Sequence, residues 1–162
     1  QSKLLGEKEV ISRLKKYFVI RTSGLFGVAG SQGKGGNFIE AIIKKAREMG
    51  ELRVVDDQIL TPTYTLDLAK QVWKLLQTEN YGLYHITSEG ECSWYQFAVE
   101  VMKYINSQIK ITPVKSVAYP SPAARPHYCV LENKKLKSLN LNIMRPWAET
   151  IPDYLKEKGY LD

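Results

Sequence analysis

Cysteine and histidine are scarce. The chain has two cysteines, Cys92 and Cys129, far apart and outside any CxxC, and only His85 and His127 could join them, so neither a structural zinc site nor a disulfide scaffold is expected. Such cysteine usage makes a reduced, cytoplasmic location the default expectation. No apolar run approaches the length of a bilayer crossing, and no basic stretch followed by an apolar one marks a secretory signal, so no membrane partner is expected. Base-stacking aromatic motifs and zinc-finger spacings are missing too, and with them the reasons to expect a nucleic-acid partner.

What is there suits one soluble unit. The 162 residues are 44% hydrophobic and 25% charged, enough for one core and too few for two ordinary domains, and residues 1–162 are read as a single unit. Lys and Arg number 23 against 17 Asp and Glu, a net +6 that raises the question of an anionic ligand. Many lysines sit in short helix-like stretches (Lys15 and Lys16; Lys44 and Lys45; Lys134, Lys135 and Lys137), where they read as solvated faces.

Apolar residues Leu4, Leu5, Val10, Ile11 and Leu14 fall at helical spacing, and no cap precedes Gln1, from which missing upstream sequence is expected. YFVIRTS reads as a parallel strand buried on both faces. A glycine-rich stretch, Gly24 to Gly36, follows. Asn37 then caps a helix through Ile39, Ile42, Ile43 and Ala46 that Gly50 ends. ELRVVDDQ reads as strand into turn, Leu66 to Leu76 as helix and GLYHITS as strand. Ser93 with Gln96 makes a capping box for a helix through Phe97, Val101 and Tyr104. KITPVKSVAY and HYCVLEN read as short extended pieces, KKLKSL as a short helix, and Thr150 with Asp153 as caps of a last helix ending at Gly159. Strands alternating with helices predict an α/β fold with parallel pairing.

Several stretches carry polar chemistry. The run GVAGSQGKGGNF fails the Walker spacing, because Val28 stands where the first glycine belongs and Gly35 follows Lys34; it is either a plain connection or a flexible flap that presents Asn37. DDQILTPTYT holds enough hydrogen-bonding groups to line a polar ligand, or to make turn contacts through Asp56 and Asp57 and cap a helix through Thr65 or Asp67. In YPSPAARPHY, Pro120, Pro122 and Pro126 stiffen a loop from which the Arg125 guanidinium could grip a phosphate. Trp73, Trp94 and Trp147 read as packing residues, and neither histidine has an acid-base partner in sequence.

The order and wording of VIRTSGLFG, GGNFIEAIIK, VVDDQILTPTYTLDLA, GLYHITSEGECSWYQFA, PSPAARPHYCVLENKKL and MRPWAETI closely resemble the C-terminal portion of the dTDP-4-dehydrorhamnose reductase family, within the extended short-chain dehydrogenase/reductases. The resemblance implies the last parallel strands of an NAD(P)-binding Rossmann-like fold plus a smaller α/β substrate-binding region. It further implies reduction of the C4 ketone of dTDP-4-dehydro-L-rhamnose to dTDP-L-rhamnose with NADPH or NADH. Lys3 matches the lysine of the family's YxxxK pair, a catalytic residue that also holds the nicotinamide ribose; its tyrosine would fall ahead of Gln1, as would the glycine-rich cofactor turn. A chain with these boundaries is expected to be inactive alone. Similarity places Asn37, Pro62, Thr63 and Tyr64 near the nucleotide-sugar and Arg125 near its diphosphate, whereas Gly24 stands where the family commonly has a tryptophan. Rival expectations are a related nucleotide-sugar epimerase or reductase, a non-catalytic subunit like the regulatory subunit of methionine adenosyltransferase, and a homodimer through unpaired strand edges.

Overall fold

Glycine and proline punctuate the sequence, and the computed structural model alternates helices and strands between them; it describes residues 1–30, 36–105, 108–119 and 125–162. The helices are α1 (Ser2–Arg13), α2 (Phe38–Met49), α3 (Thr65–Leu76), α4 (Trp94–Tyr104), α5 (Lys134–Ser138) and α6 (Ile151–Glu157). The strands are β1 (Phe18–Arg21), β2 (Leu25–Phe26), β3 (Glu51–Val55), β4 (Ile59–Leu60), β5 (Thr63–Tyr64), β6 (Gly82–His85), β7 (Cys92–Ser93), β8 (Lys110–Val114) and β9 (Tyr128–Cys129). Gly33 and Lys34 of the glycine-rich stretch, and Pro120 and Pro122 of the proline-rich loop, lie outside the described residues.

The fold is α/β with parallel pairing, as the alternation predicts. β1 pairs with β6, β2 with β5, β3 with β8 and β4 with β9, all parallel; β4 also pairs antiparallel with β7. Two apolar cores result. One gathers Ile39 and Ile43 of α2, Leu52 and Val54 of β3, Phe97 and Val101 of α4, and Tyr154 and Leu155 of α6. The other holds Leu75 of α3, Tyr84 and Ile86 at β6, Leu136 of α5 and Met144. Each fully buried large side chain contributes about 1.5–3 kcal/mol.

Local signals explain the elements that frame the cavities. The Asn37 side chain accepts from the N–H groups of Ile39 (2.9 Å) and Glu40 (3.2 Å), and Gly50 stops α2 at φ 68. Ser93 and Gln96 form the capping box of α4 in both directions. Asn133 acts as a substitute strand. Its amide accepts from the Thr87 N–H (2.9 Å) and donates to the Thr87 carbonyl (2.8 Å), as a neighbouring backbone would, and so holds the segment before α5 against the end of β6.

Four expectations need correction. β1 is half-buried rather than covered on both faces: Phe18, Val19 and Ile20 are partly exposed and Arg21 is exposed. Trp73 is 67% exposed on the outer face of α3 and is no core residue. Asp67 does not cap α3; it takes two hydrogen bonds from the Arg145 guanidinium, at 2.8 and 3.1 Å, and neither it nor Thr65 makes a side-chain cap. At α6 the Thr150 hydroxyl donates backwards to the Trp147 carbonyl (2.7 Å), and Asp153 accepts from Arg145 (2.8 Å), so neither caps that helix.

Candidate functional site

The end of β3 organises the site. Asp56 accepts from the Ser93 hydroxyl (2.6 Å), which ties the first turn of α4 to the strand and fixes Trp94, the first residue of that helix. Asp57 holds the short 3-10 turn Ser116–Ala118 through the Ser116 N–H (2.8 Å) and hydroxyl (3.1 Å). Burial pushes the Asp57 carboxyl up, but the Ser116 hydrogen bonds and nearby His127 outweigh it and keep the group below the usual carboxylate range. His127 Nδ1 lies 2.9 Å from the Asp57 carbonyl oxygen, and Tyr119 donates to the Arg53 carbonyl (3.1 Å). Strand, turn and the 125–127 segment are thereby joined into one rim.

Above that floor lies a cavity of about 950 Å³. Leu52, Val54, Phe38 and Ile42 give it an apolar base; Lys45, Arg53 and Arg125 stand around it with one carboxylate, Asp57, already engaged by Ser116. Cations over an apolar base suit an anion with a flat or apolar body. A second cavity of about 650 Å³ adjoins it, sharing Phe38, Ala41 and Trp94 as a common wall, and reaches Gly24, Gly27 and Asn37. Phe26 and Phe97 make it largely apolar.

The residues expected at a site separate into groups. Arg125 lines the larger cavity and Asn37 the smaller. The Asn37 amide is fully engaged: its oxygen caps α2, and its nitrogen donates to the Gly27 carbonyl (3.1 Å) and the Tyr154 hydroxyl (2.8 Å). It joins the loop before α2 to α6. Tyr154 donates to Glu40, which Tyr160 also reaches at 2.8 Å; burial, then the Glu40 carboxylate, raises the Tyr154 phenol well above its ordinary range.

Pro62, Thr63 and Tyr64 are buried and line neither cavity. The Thr63 N–H donates to the Gly24 carbonyl (3.0 Å), and the Tyr64 ring stacks on Phe26 while its hydroxyl donates to Glu157. Burial and then that carboxylate raise the Tyr64 phenol as well. Lys3 is exposed on α1, away from both cavities, with no hydrogen-bond or ion-pair partner among the described residues. Gly24 sits at φ +57, and a Cβ there would lie 2.4 Å from the Thr61 carbonyl oxygen, so this loop conformation excludes a tryptophan side chain.

Lys45, Arg53 and Trp94 were not expected at the site. Lys45 shares the cavity face of α2 with Phe38, Ala41 and Ile42 at spacings of three, four and seven, a signal that was readable. Arg53 alternates outward between buried Leu52 and Val54.

The sequence model of the RmlD substrate binding domain matches residues 1–159. The spore coat polysaccharide biosynthesis protein SpsK of Bacillus subtilis is 39% identical over 159 residues, covering 98% of this chain and 54% of that protein. A crystal structure of a dTDP-4-dehydrorhamnose reductase from Clostridium acetobutylicum superposes with a TM-score of 0.90 at 39% identity, over 98% of this chain and 54% of that one. The dTDP-4-dehydrorhamnose reductase of Bacillus anthracis, solved in complex with NADP, gives 0.88 at 36% identity over 96% of this chain and 54% of that one. The chain thus spans about half the length of the relatives it matches. No helix among the described residues is long and apolar enough to cross a membrane.

Proposed function

The chain belongs to the RmlD substrate-binding domain family, and from that premise we propose that it is the nucleotide-sugar-gripping part of an NAD(P)H-dependent reductase that converts dTDP-4-dehydro-L-rhamnose to dTDP-L-rhamnose. One observation carries the reading: the apolar-floored cavity with Lys45, Arg53 and Arg125 around it. A nucleoside diphosphate is an anion with a flat apolar end, and the cavity offers a surface for each part.

On this reading Arg125 grips the diphosphate with its planar fork, and Lys45 and Arg53 add charge along the same groove. Asn37 keeps the Gly24–Gly30 loop and the start of α2 in register through its saturated amide, so the sugar-side cavity has a fixed wall. Thr63 and Tyr64 support that wall through the Gly24 carbonyl and the Phe26 ring, and Pro62 packs against Gly24. A nicotinamide cofactor bound beside this chain would supply the hydride for the ketone carbon. Two groups of this chain suit its edge: the unpartnered Lys3 ammonium, and Thr22 just past β1, whose buried hydroxyl has no hydrogen-bond partner among the described residues. A position beyond the carboxyl end of a parallel strand is where α/β folds take such ligands. The tyrosine partner of Lys3 and the cofactor's glycine turn then belong to sequence ahead of Gln1, and residues 1–162 act as one unit beside that half. The outer edges of the β1–β6 pair, which have no partner strand among the described residues, join its strands.

Calorimetric titration with dTDP tests this. The chain should bind it, and Arg125→Ala should weaken binding by roughly 1.5–3 kcal/mol through loss of a charge-assisted phosphate contact. An unchanged dissociation constant would remove Arg125 from the site. With NADPH and the keto-sugar the 162 residues alone should show no turnover, and measurable NADPH oxidation would overturn the division of labour.

A further inference from the structure

Resting on the nucleotide reading above, we propose that Trp94 is a specificity-determining residue: its indole is the platform on which the nucleotide's base lies, so the chain reads the ring as well as the phosphates.

Placement is the first argument. Trp94 lines both cavities and is only half-buried, and its ring centroid lies 4.6 Å from that of Phe38 and 6.5 Å from that of Phe97. The other tryptophans are used differently. Trp73 stands out from α3 into solvent, and Trp147 packs edge-on against Phe97 at 5.8 Å, away from both cavities.

Rigidity is the second. Ser93, immediately before it, is held by Asp56 and by the reciprocal capping bonds with Gln96. Asp56 donates its own N–H to the Val114 carbonyl (2.9 Å), so Trp94 is anchored to the β3–β8 pair that underlies the cavity. A platform fixed before the ligand arrives loses little freedom on binding. Chemical division of the cavity is the third: Lys45, Arg53 and Arg125 supply charge, while Trp94 and Phe38 supply the flat apolar surface that a pyrimidine ring needs and that no cation there provides.

The test uses the full chain and two probes, dTDP and inorganic pyrophosphate. Trp94→Ala should weaken dTDP binding about 10-fold or more while pyrophosphate stays within about 2-fold, and Trp94→Phe should recover most of the loss. Arg125→Ala should weaken both probes. The fluorescence of Trp94, isolated by Trp73→Phe and Trp147→Phe, should be quenched by dTDP and left unchanged by pyrophosphate; this arm decides the matter if Trp94→Ala does not fold. Parental dTDP affinity in Trp94→Ala beside a weakened Arg125→Ala, or no quenching at saturating dTDP, overturns the platform and leaves the nucleotide reading standing. Failure of the parent chain to bind dTDP overturns both.

Discussion

Replacing Asn133 by Leu should unfold the chain several degrees earlier, and the structure sets the size of the effect. Asn133 is 1% exposed and Thr87 0%, so the two backbone groups of Thr87 that the amide satisfies have no water to turn to. Leu has a similar volume, which keeps any cavity small. Two buried backbone groups left unpaired cost about 1–3 kcal/mol each. Glu89 also loses a donor at 2.9 Å but keeps Lys137 and Asn142, both at 2.9 Å. The added apolar burial offsets part of the loss, leaving a net destabilisation of about 3 kcal/mol. For a chain of this length that lowers the midpoint by about 6–12 °C. Urea unfolding followed by circular dichroism should show the same loss with an unchanged slope. Asn133→Asp should do no better: it keeps an acceptor for the Thr87 N–H but sets a carboxylate against the Thr87 carbonyl and Glu89. A change below about 0.5 kcal/mol in Asn133→Leu, the size of an ordinary surface substitution, would refute the substitute-strand account.

Gly24→Ala should cost about 2 kcal/mol or more, since left-handed strain adds to a contact with the Thr61 carbonyl. Gly50→Ala, at φ +68 with nothing within 4 Å of the added carbon, should show only the strain of about 1 kcal/mol, and equal losses at both positions would remove the steric argument. Stability should also fall at both ends of the pH scale. The Tyr64 and Tyr154 phenols are raised above the ordinary 10.0, so their stabilisation is complete below pH 10 and lost as pH climbs through their folded values. Glu89 is lowered from 4.5: burial pushes it up, and Lys137, Asn133 and Asn142 more than compensate, so its contribution is present above pH 4.5 and lost as pH falls through its folded value. Urea midpoints across pH should trace this plateau, and ultraviolet titration of Tyr64→Phe should lack one late-ionising phenol; ten phenols all titrating near 10 in the native parent would contradict the burial of these two.

Legibility from sequence followed the range of the interactions. α2 and α4 were readable because Asn37, Gly50, Ser93 and Gln96 act within four residues of the backbone they cap. Thr150, Asp67 and Asp153 misled for the opposite reason: Arg145, remote from Asp67 in sequence, reaches both carboxylates, and the Thr150 hydroxyl found a carbonyl behind it. Trp73 misled because a large ring on a helix reads as core unless its face is known. DDQILTPTYT is rich in polar groups, yet most of them are spent internally: Thr61 donates to the Gly90 carbonyl (2.9 Å), Tyr64 donates to Glu157 and Asp57 holds Ser116. Arg125 and Asn37 were nameable because each stands in a distinctive stretch. Lys45 shares one helix face with Phe38, Ala41 and Ile42, a local signal, whereas Trp94 needed the knowledge that α2 and α4 pack beside each other, which only tertiary packing supplies.

α1 has no buried residue, and Leu4, Leu5, Ile11 and Leu14 are 49%, 61%, 42% and 53% exposed. Its N-terminus lacks both a side-chain cap and an acidic first turn, and among the described residues a Glu7–Arg21 ion pair at 2.7 Å ties it to β1. A twelve-residue helix without tertiary burial is marginal in water. Its amide protons should therefore exchange with solvent far sooner than those of α4, and limited proteolysis should cut within it before it cuts within α4. Lys3 rides on this segment, so if it serves the cofactor as proposed, its ammonium would gain a fixed address only once another surface covered that leucine-rich side.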